Sequence, residues 1–173
     1  MDGFTLRHLT LAVALSTSMG TAFAATSNDF VDSAAAGGIA EVETSRLALE
    51  KSSSADIKAF ANMMITDHAK ANDELAALAK KNDIEMPDST TLVKQAKEKI
   101  LDLRDESFDA AYANNQVKAH EDTIELFKKE ANTVTDDRTK GATDLKGFAQ
   151  KMLPALEKHL DMAKKLQAVH PSK

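Results

Sequence analysis

DIKAFANMMITDHAKANDELAAL, residues Asp56 to Leu78, carries the reading on which the rest of the fold depends. Its apolar residues fall at Ile57, Ala61, Met64, Ala71, Leu75 and Leu78. Steps of three, four and seven between them trace one face of an α-helix. The stripe has a gap between Met64 and Ala71, and His68 fills it. A histidine on an apolar seam must lose its water, so it needs a hydrogen-bond partner, a metal or a cofactor. Two later segments repeat the pattern, with His120 and His159 on their own apolar faces.

The 173 residues suit one domain with a sizeable core. Only three prolines and six glycines interrupt a chain rich in Ala, Leu, Lys, Glu and Asp, and 5% of it is aromatic. That balance predicts an all-α fold. The net charge of −5, without a basic patch interleaved with aromatics, argues against nucleic acid as a partner. With no cysteine, disulfides, thiolate zinc sites and cysteine nucleophiles are excluded.

Residues 1–24 read as a secretory signal peptide. Arg7 and His8 close its short n-region, Leu9 to Leu15 are apolar, and Ala22-Phe23-Ala24 is an A-x-A cleavage site. The apolar run is too short for a stable membrane anchor. The expected mature chain, 25–173, is exported, periplasmic or secreted, and without a transmembrane segment.

Within it, the first helix is expected from Asn28 or Asp29 to Lys51. Its inward stripe is Val31, Ala35, Gly38, Val42, Ser45 and Leu49, with Glu41 at the edge. Ser53 or Ser54 caps the second helix, which runs to about Asn82. A linker holding Pro87 leads to a short, more charged helical piece over Thr90 to Leu103. Ser107 caps the next long helix, which carries Phe108, Ala111, Val117, His120, Ile124 and Phe127 inward and ends near Asn132. The last helix runs from about Thr143 to Val169, with Leu145, Phe148, Met152, Leu156, His159 and Ala163 on one face. Four long helices on short connections predict an antiparallel up-down four-helix bundle, with one extra helical segment between helices 2 and 3. A faint repeat agrees: Asp56-Ile57-Lys58-Ala59-Phe60-Ala61 matches Asp144-Leu145-Lys146-Gly147-Phe148-Ala149.

At a rise of about 1.5 Å per residue, Glu41, His68, His120 and His159 fall at similar heights in such a bundle. One carboxylate and three imidazoles would then converge from four helices. Nitrogen and oxygen ligands of this kind suit a divalent transition metal such as zinc, iron or manganese, or copper. The competing reading makes each histidine a core residue with its own hydrogen-bond partner. A standard di-iron site needs Glu-x-x-His on two helices. Here Ile65, Val117 and Leu156 stand three before the histidines. Met64 and Met162, each about one turn from a histidine, would add sulfur ligands for copper, although methionine at helical spacing commonly fills cores. Asp67 and Tyr112 are candidates to hold the outer ring nitrogens of metal-bound imidazoles. Pro154 lies inside the last helix, where it either bends that helix around the core or sets the aim of His159. Metal affinity is expected to fall as pH drops through the histidine range near about 6.5.

Ala40-Glu41-Val42 with Leu47-Ala48, Phe60-Ala61 with Asp67-His68, Phe108-Asp109 with Tyr112 and His120, and Phe148-Ala149 with Leu153-Pro154 and His159-Leu160 stand in a distinctive order. This set resembles domain-of-unknown-function family 4142, a bacterial group of exported, ferritin-like helical proteins. The resemblance implies a ferritin-like fold and a periplasmic or secreted location, and no established activity. The label of outer-membrane protein given to that group does not fit, because no ten-residue alternating strands are present.

The leading expectation is thus an exported ferritin-like protein that binds a metal ion through a buried His/Glu layer, in envelope stress or metal handling. The alternative is a non-enzymatic helical interaction or structural module whose histidines only order the core. A metal-dependent enzyme stands third, since neither a nucleophile nor a cleft is legible.

Overall fold

The computed structural model describes residues 27–100, 108–135 and 141–172, with the side chains of 98–100 outside that description. The signal-peptide reading of 1–24, the end of the short helical piece and the Ser107 cap lie outside the described residues. Five helices are present, and no strand occurs among the described residues: α1 (Asp29–Lys51), α2 (Ala55–Lys81), α3 (Ser89–Ile100), α4 (Phe108–Ala131) and α5 (Ala142–Val169). No helix among these residues is long and apolar enough to cross a membrane.

Local chemistry sets the ends. Asn28 caps α1, its side chain accepting from the Val31 N–H at 3.0 Å, with Asp29 and Asp32 in the first turn to complement the helix dipole. Three serines separate α1 from α2. The Ser54 hydroxyl donates to Asp56, which also accepts from the Ile57 N–H at 2.8 Å. These bonds, led by the Ser54 hydroxyl, hold the Asp56 carboxyl at a pKa of about 2. At the far end of α2, Asn82 donates to the Leu78 carbonyl and to Asp144 in the first turn of α5, both at 2.9 Å. Gly141 precedes α5 with φ of +78°, and a Cβ there would sit 3.0 Å from the Asn82 side chain. Glycine fits because its backbone is left-handed and its neighbour is close.

α1 packs most closely on α2, and α4 on α5; α1 also meets α3 and α4, and α2 meets α5. The ends confirm the directions. Asp144 sits at the end of α2, while His170, after α5, reaches Asp56 at the start of α2. Gln150 donates to the Ala131 carbonyl, and Gln167 to Asn114. α5 therefore runs opposite to both α2 and α4.

Two apolar clusters fill the interior. One joins Phe30, Val31, Leu75, Ile124, Phe127, Leu145 and Phe148. The other joins Ala48, Ile57, Phe60, Met64, Tyr112, Val117, Ala163 and Leu166. On every long helix the polar residue of interest lies in sequence between members of the two clusters. His68 stands between Met64 and Leu75, His120 between Val117 and Ile124, His159 between Leu156 and Ala163, and Glu41 between Ala35 and Ala48. The histidine layer thus divides one core into two apolar halves.

One face differs from expectation. The sequence stripe of α1 includes Val42 and Leu49, yet both are only partly buried, while Glu41, Thr44 and Ala48 are buried. α3 lies against α1, and its Ala96 lines the same cavity as Glu41 and Thr44, while Ala48 packs into the cluster around Phe60 and Tyr112. Pro154 lies on the exposed side of α5, and the helix continues through it. Water can take the Gln150 carbonyl that the proline frees.

Candidate metal centre

Three helices each deliver one imidazole to the layer. The rings of His68, His120 and His159 form a nearly equilateral triangle, with centroids 5.5, 5.6 and 5.6 Å apart. One ring nitrogen from each lies within 4.8 Å of the other two. All three residues are buried.

Two of the rings are held from outside. His120 Nδ1 donates to the Gln116 carbonyl, one turn back on α4, at 2.8 Å. His159 Nε2 donates to the Asp67 carboxylate at 3.0 Å. Each acceptor selects the tautomer and leaves the opposite nitrogen with its lone pair free. His120 Nε2, His159 Nδ1 and His68 Nε2 are buried without a hydrogen-bond partner. Buried polar atoms are normally paired, and each unpaired one costs about 1–3 kcal/mol. Three such atoms lie in one layer, and on the two rings clamped from behind the unpaired nitrogen is an acceptor, the kind of donor atom a cation needs.

The electrostatics favour neutral rings. Burial, aided by the neighbouring histidines, pushes the His68 pKa down to about 3. Burial pushes His120 to about 4, against its bond to Gln116. His159 is also lowered by burial, while Asp67 offsets part of that shift. His68 and His120 are therefore deprotonated, ready to ligate, well below neutral pH, and burial shifts His159 in the same direction.

Glu41 does not belong to this triangle. It is buried on α1 near Gln116, and desolvation raises its pKa to about 7, with Gln116 lowering it in part. That contact closes no full hydrogen bond, since Glu41 Oε2 and both Gln116 amide atoms have no partner. Met64 and Met162 belong to the apolar cluster around Phe60 and Tyr112. Tyr112 bonds to the Ser45 hydroxyl at 2.9 Å, so its hydroxyl serves α1 rather than an imidazole. Asp67 takes the outer-nitrogen position expected for it, on a histidine of another helix. Gln116 is absent from the sequence reading, yet it stands four residues before His120 and four after Tyr112, and that spacing places it on the same face.

A cavity of about 60 Å³ opens beside the layer, lined by His68, His159 and Asp67 together with Gly38, Phe148 and Leu156. Gly38 lets α1 approach α2 here: a Cβ would meet Asn72 Oδ1 at 2.1 Å. The space admits a few water molecules or one small ligand.

The sequence profile of the family named Domain of unknown function (DUF4142) matches residues 12–166. The chain belongs to the DUF4142 family. No curated protein and no solved structure matches it. Membership of DUF4142 names no activity, so the chemistry of this DUF4142 chain rests on the layer itself.

The lowered histidine pKa values have a measurable consequence in metal-free protein. Between the unfolded value of 6.5 and the folded values near 3 and 4, the unfolded chain binds protons that the folded chain refuses. Stability is then present above pH 6.5 and is lost as pH falls, by roughly 1.4 kcal/mol per pH unit for each such histidine. Glu41 acts oppositely: its raised pKa makes the fold lose stability as pH rises from 4.5 to about 7. The histidines outnumber it, so denaturant melts in chelator should show a less stable chain at pH 5 than at pH 7. Glu41→Gln should steepen that loss. A flat profile would contradict the neutral, buried layer.

Proposed function

We propose that this chain binds one divalent transition-metal ion through His68, His120 and His159. The observation that carries this reading is the cluster of three buried imidazoles, each with one unpartnered ring nitrogen, two of the rings being clamped from behind by Gln116 and Asp67. Imidazole ligands in metal sites characteristically donate their other N–H to a carbonyl or carboxylate. Three neutral nitrogens suit zinc or copper above the harder cations, and leave a coordination position for water or a small ligand. Nitrogens no more than 4.8 Å apart lie at most about 2.8 Å from their common centre, against about 2.0–2.1 Å for a zinc–imidazole bond. Binding would draw the rings inward by under an ångström, within the reach of small side-chain rotations. Asp67 supplies negative charge behind His159 and lowers the cost of a buried dication.

On this reading α1, α2, α4 and α5 form a ferritin-like antiparallel four-helix bundle with α3 laid along α1, and the ion sits between its two apolar halves. The export expected from residues 1–24 would place the protein in the periplasm or outside the cell, where it would hold or buffer metal. Elemental analysis of tag-free protein from its native compartment should find one zinc or copper per chain. Protein that emerges metal-free and fails to take up either ion on dialysis would leave the histidines as core residues of a helical module.

A further inference from the structure

The layer leaves Glu41 unexplained. An isolated carboxyl at 5% exposure is costly, and nearby residues do not discharge it. Gln116 faces it with an amide that is itself fully buried and unpaired at both atoms. Glu41 also lines a second cavity, of about 340 Å³, bounded by α1, α3 and α4. Thr44 and Ala96 line it as well, while Lys118 and Asp122 reach it from α4.

We infer that this cavity is a binding site for a small organic cation, a primary ammonium or guanidinium group, whose N–H donors meet Glu41 at the buried end. Three features select a cation. Among the described residues Glu41 Oε2 accepts no hydrogen bond. The Thr44 hydroxyl spends its proton on the Ala40 carbonyl and presents only lone pairs elsewhere. Among the described residues, the cationic side chain lining the cavity is Lys118, which is held at 2.7 Å by Asp122, and both are largely exposed. Lys118 therefore does not neutralise Glu41. The volume is at the lower end for small-molecule sites and fits a group of several heavy atoms. The site is separate from the histidine triangle, which excludes Glu41.

Calorimetry of the full chain in phosphate buffer with EDTA tests this without loading the histidines. The probes are n-butylammonium and methylguanidinium, with n-butanol and butyrate as neutral and anionic controls. The cations should bind and the controls should not. Glu41→Gln keeps the shape and should weaken cation binding about ten- to a hundredfold, the effect of losing a hydrogen bond to a charged group. Its melting temperature at pH 7 should not fall, which separates lost binding from lost folding. Absence of cation binding, equal binding of butanol or butyrate, or undiminished binding by a folded Glu41→Gln variant would overturn the proposal. Because EDTA is present throughout, none of these results depends on whether metal occupies the histidines.

Discussion

Zinc at a thousand times its dissociation constant should raise the unfolding free energy of the chain by about 4 kcal/mol at pH 7, because an ion that binds only the folded state stabilises it by mass action. For a chain of this size that corresponds to roughly 2–4 °C in melting temperature per kcal/mol. His68→Ala, His120→Ala and His159→Ala should each remove most of this increment. Two nitrogens remain in each variant, and the missing ligand leaves the ion underbound. The pH dependence should differ from that of exposed histidines. Sequence alone puts the loss of affinity near about 6.5, whereas in the fold His68 and His120 stay neutral until much lower pH, at about 3 and about 4, and His159 is lowered as well. Affinity of the folded chain should hold to about pH 5 and then collapse with the fold itself. A zinc increment that survives His68→Ala would place the ion elsewhere.

Met64→Ala should cost about 2–5 kcal/mol, the range for truncating a buried methionine. Met64 is fully buried among Ile57, Phe60 and Tyr112, where its removal leaves a cavity that three ring-bearing or branched neighbours cannot collapse to fill. Met64→Leu should cost under about 1.5 kcal/mol, since it keeps volume and apolarity. The pair of variants separates two roles. A filler tolerates leucine and leaves metal affinity unchanged. A sulfur ligand to copper would lose copper binding in Met64→Leu while stability barely moves. The structure supports the first result, because both Met64 and Met162 pack into the apolar cluster.

Much of this molecule was legible in its sequence, and the reasons are physical. The apolar steps through Ile57, Ala61, Met64 and Leu75 are local, so α2 and its inward face follow from periodicity alone. His68, His120 and His159 interrupt such stripes, which marks them as buried before any contact is known. The bounds of α1, α2 and α5 follow from Asn28, the Ser52–Ser54 break and Gly141, each a residue with its own backbone chemistry. What was not legible depends on a second helix. The Asp67–His159 bond joins residues 92 positions apart, and no spacing within α2 reports it. α3, whose Ala96 lines a cavity with Glu41 and Thr44 of α1, is a segment whose charged composition does not announce where it docks. Glu41 was grouped with the histidines because its height matched theirs. Height along a helix axis does not fix direction around it, and Glu41 lines a cavity of its own between α1, α3 and α4. Tyr112, a candidate to hold an outer imidazole nitrogen, bonds Ser45 instead.

The central claim is that three imidazoles, and no other side chains, hold the ion. X-ray absorption at the metal edge of stoichiometrically loaded protein tests it most directly. The account predicts a first shell with three imidazole nitrogens at about 2.0–2.1 Å, completed by water or a small ligand, with the outer-ring scattering that imidazole produces. The same spectrum should lose one imidazole in His159→Ala. A shell of oxygens, a sulfur at about 2.3 Å, or a spectrum unchanged by His159→Ala would contradict it.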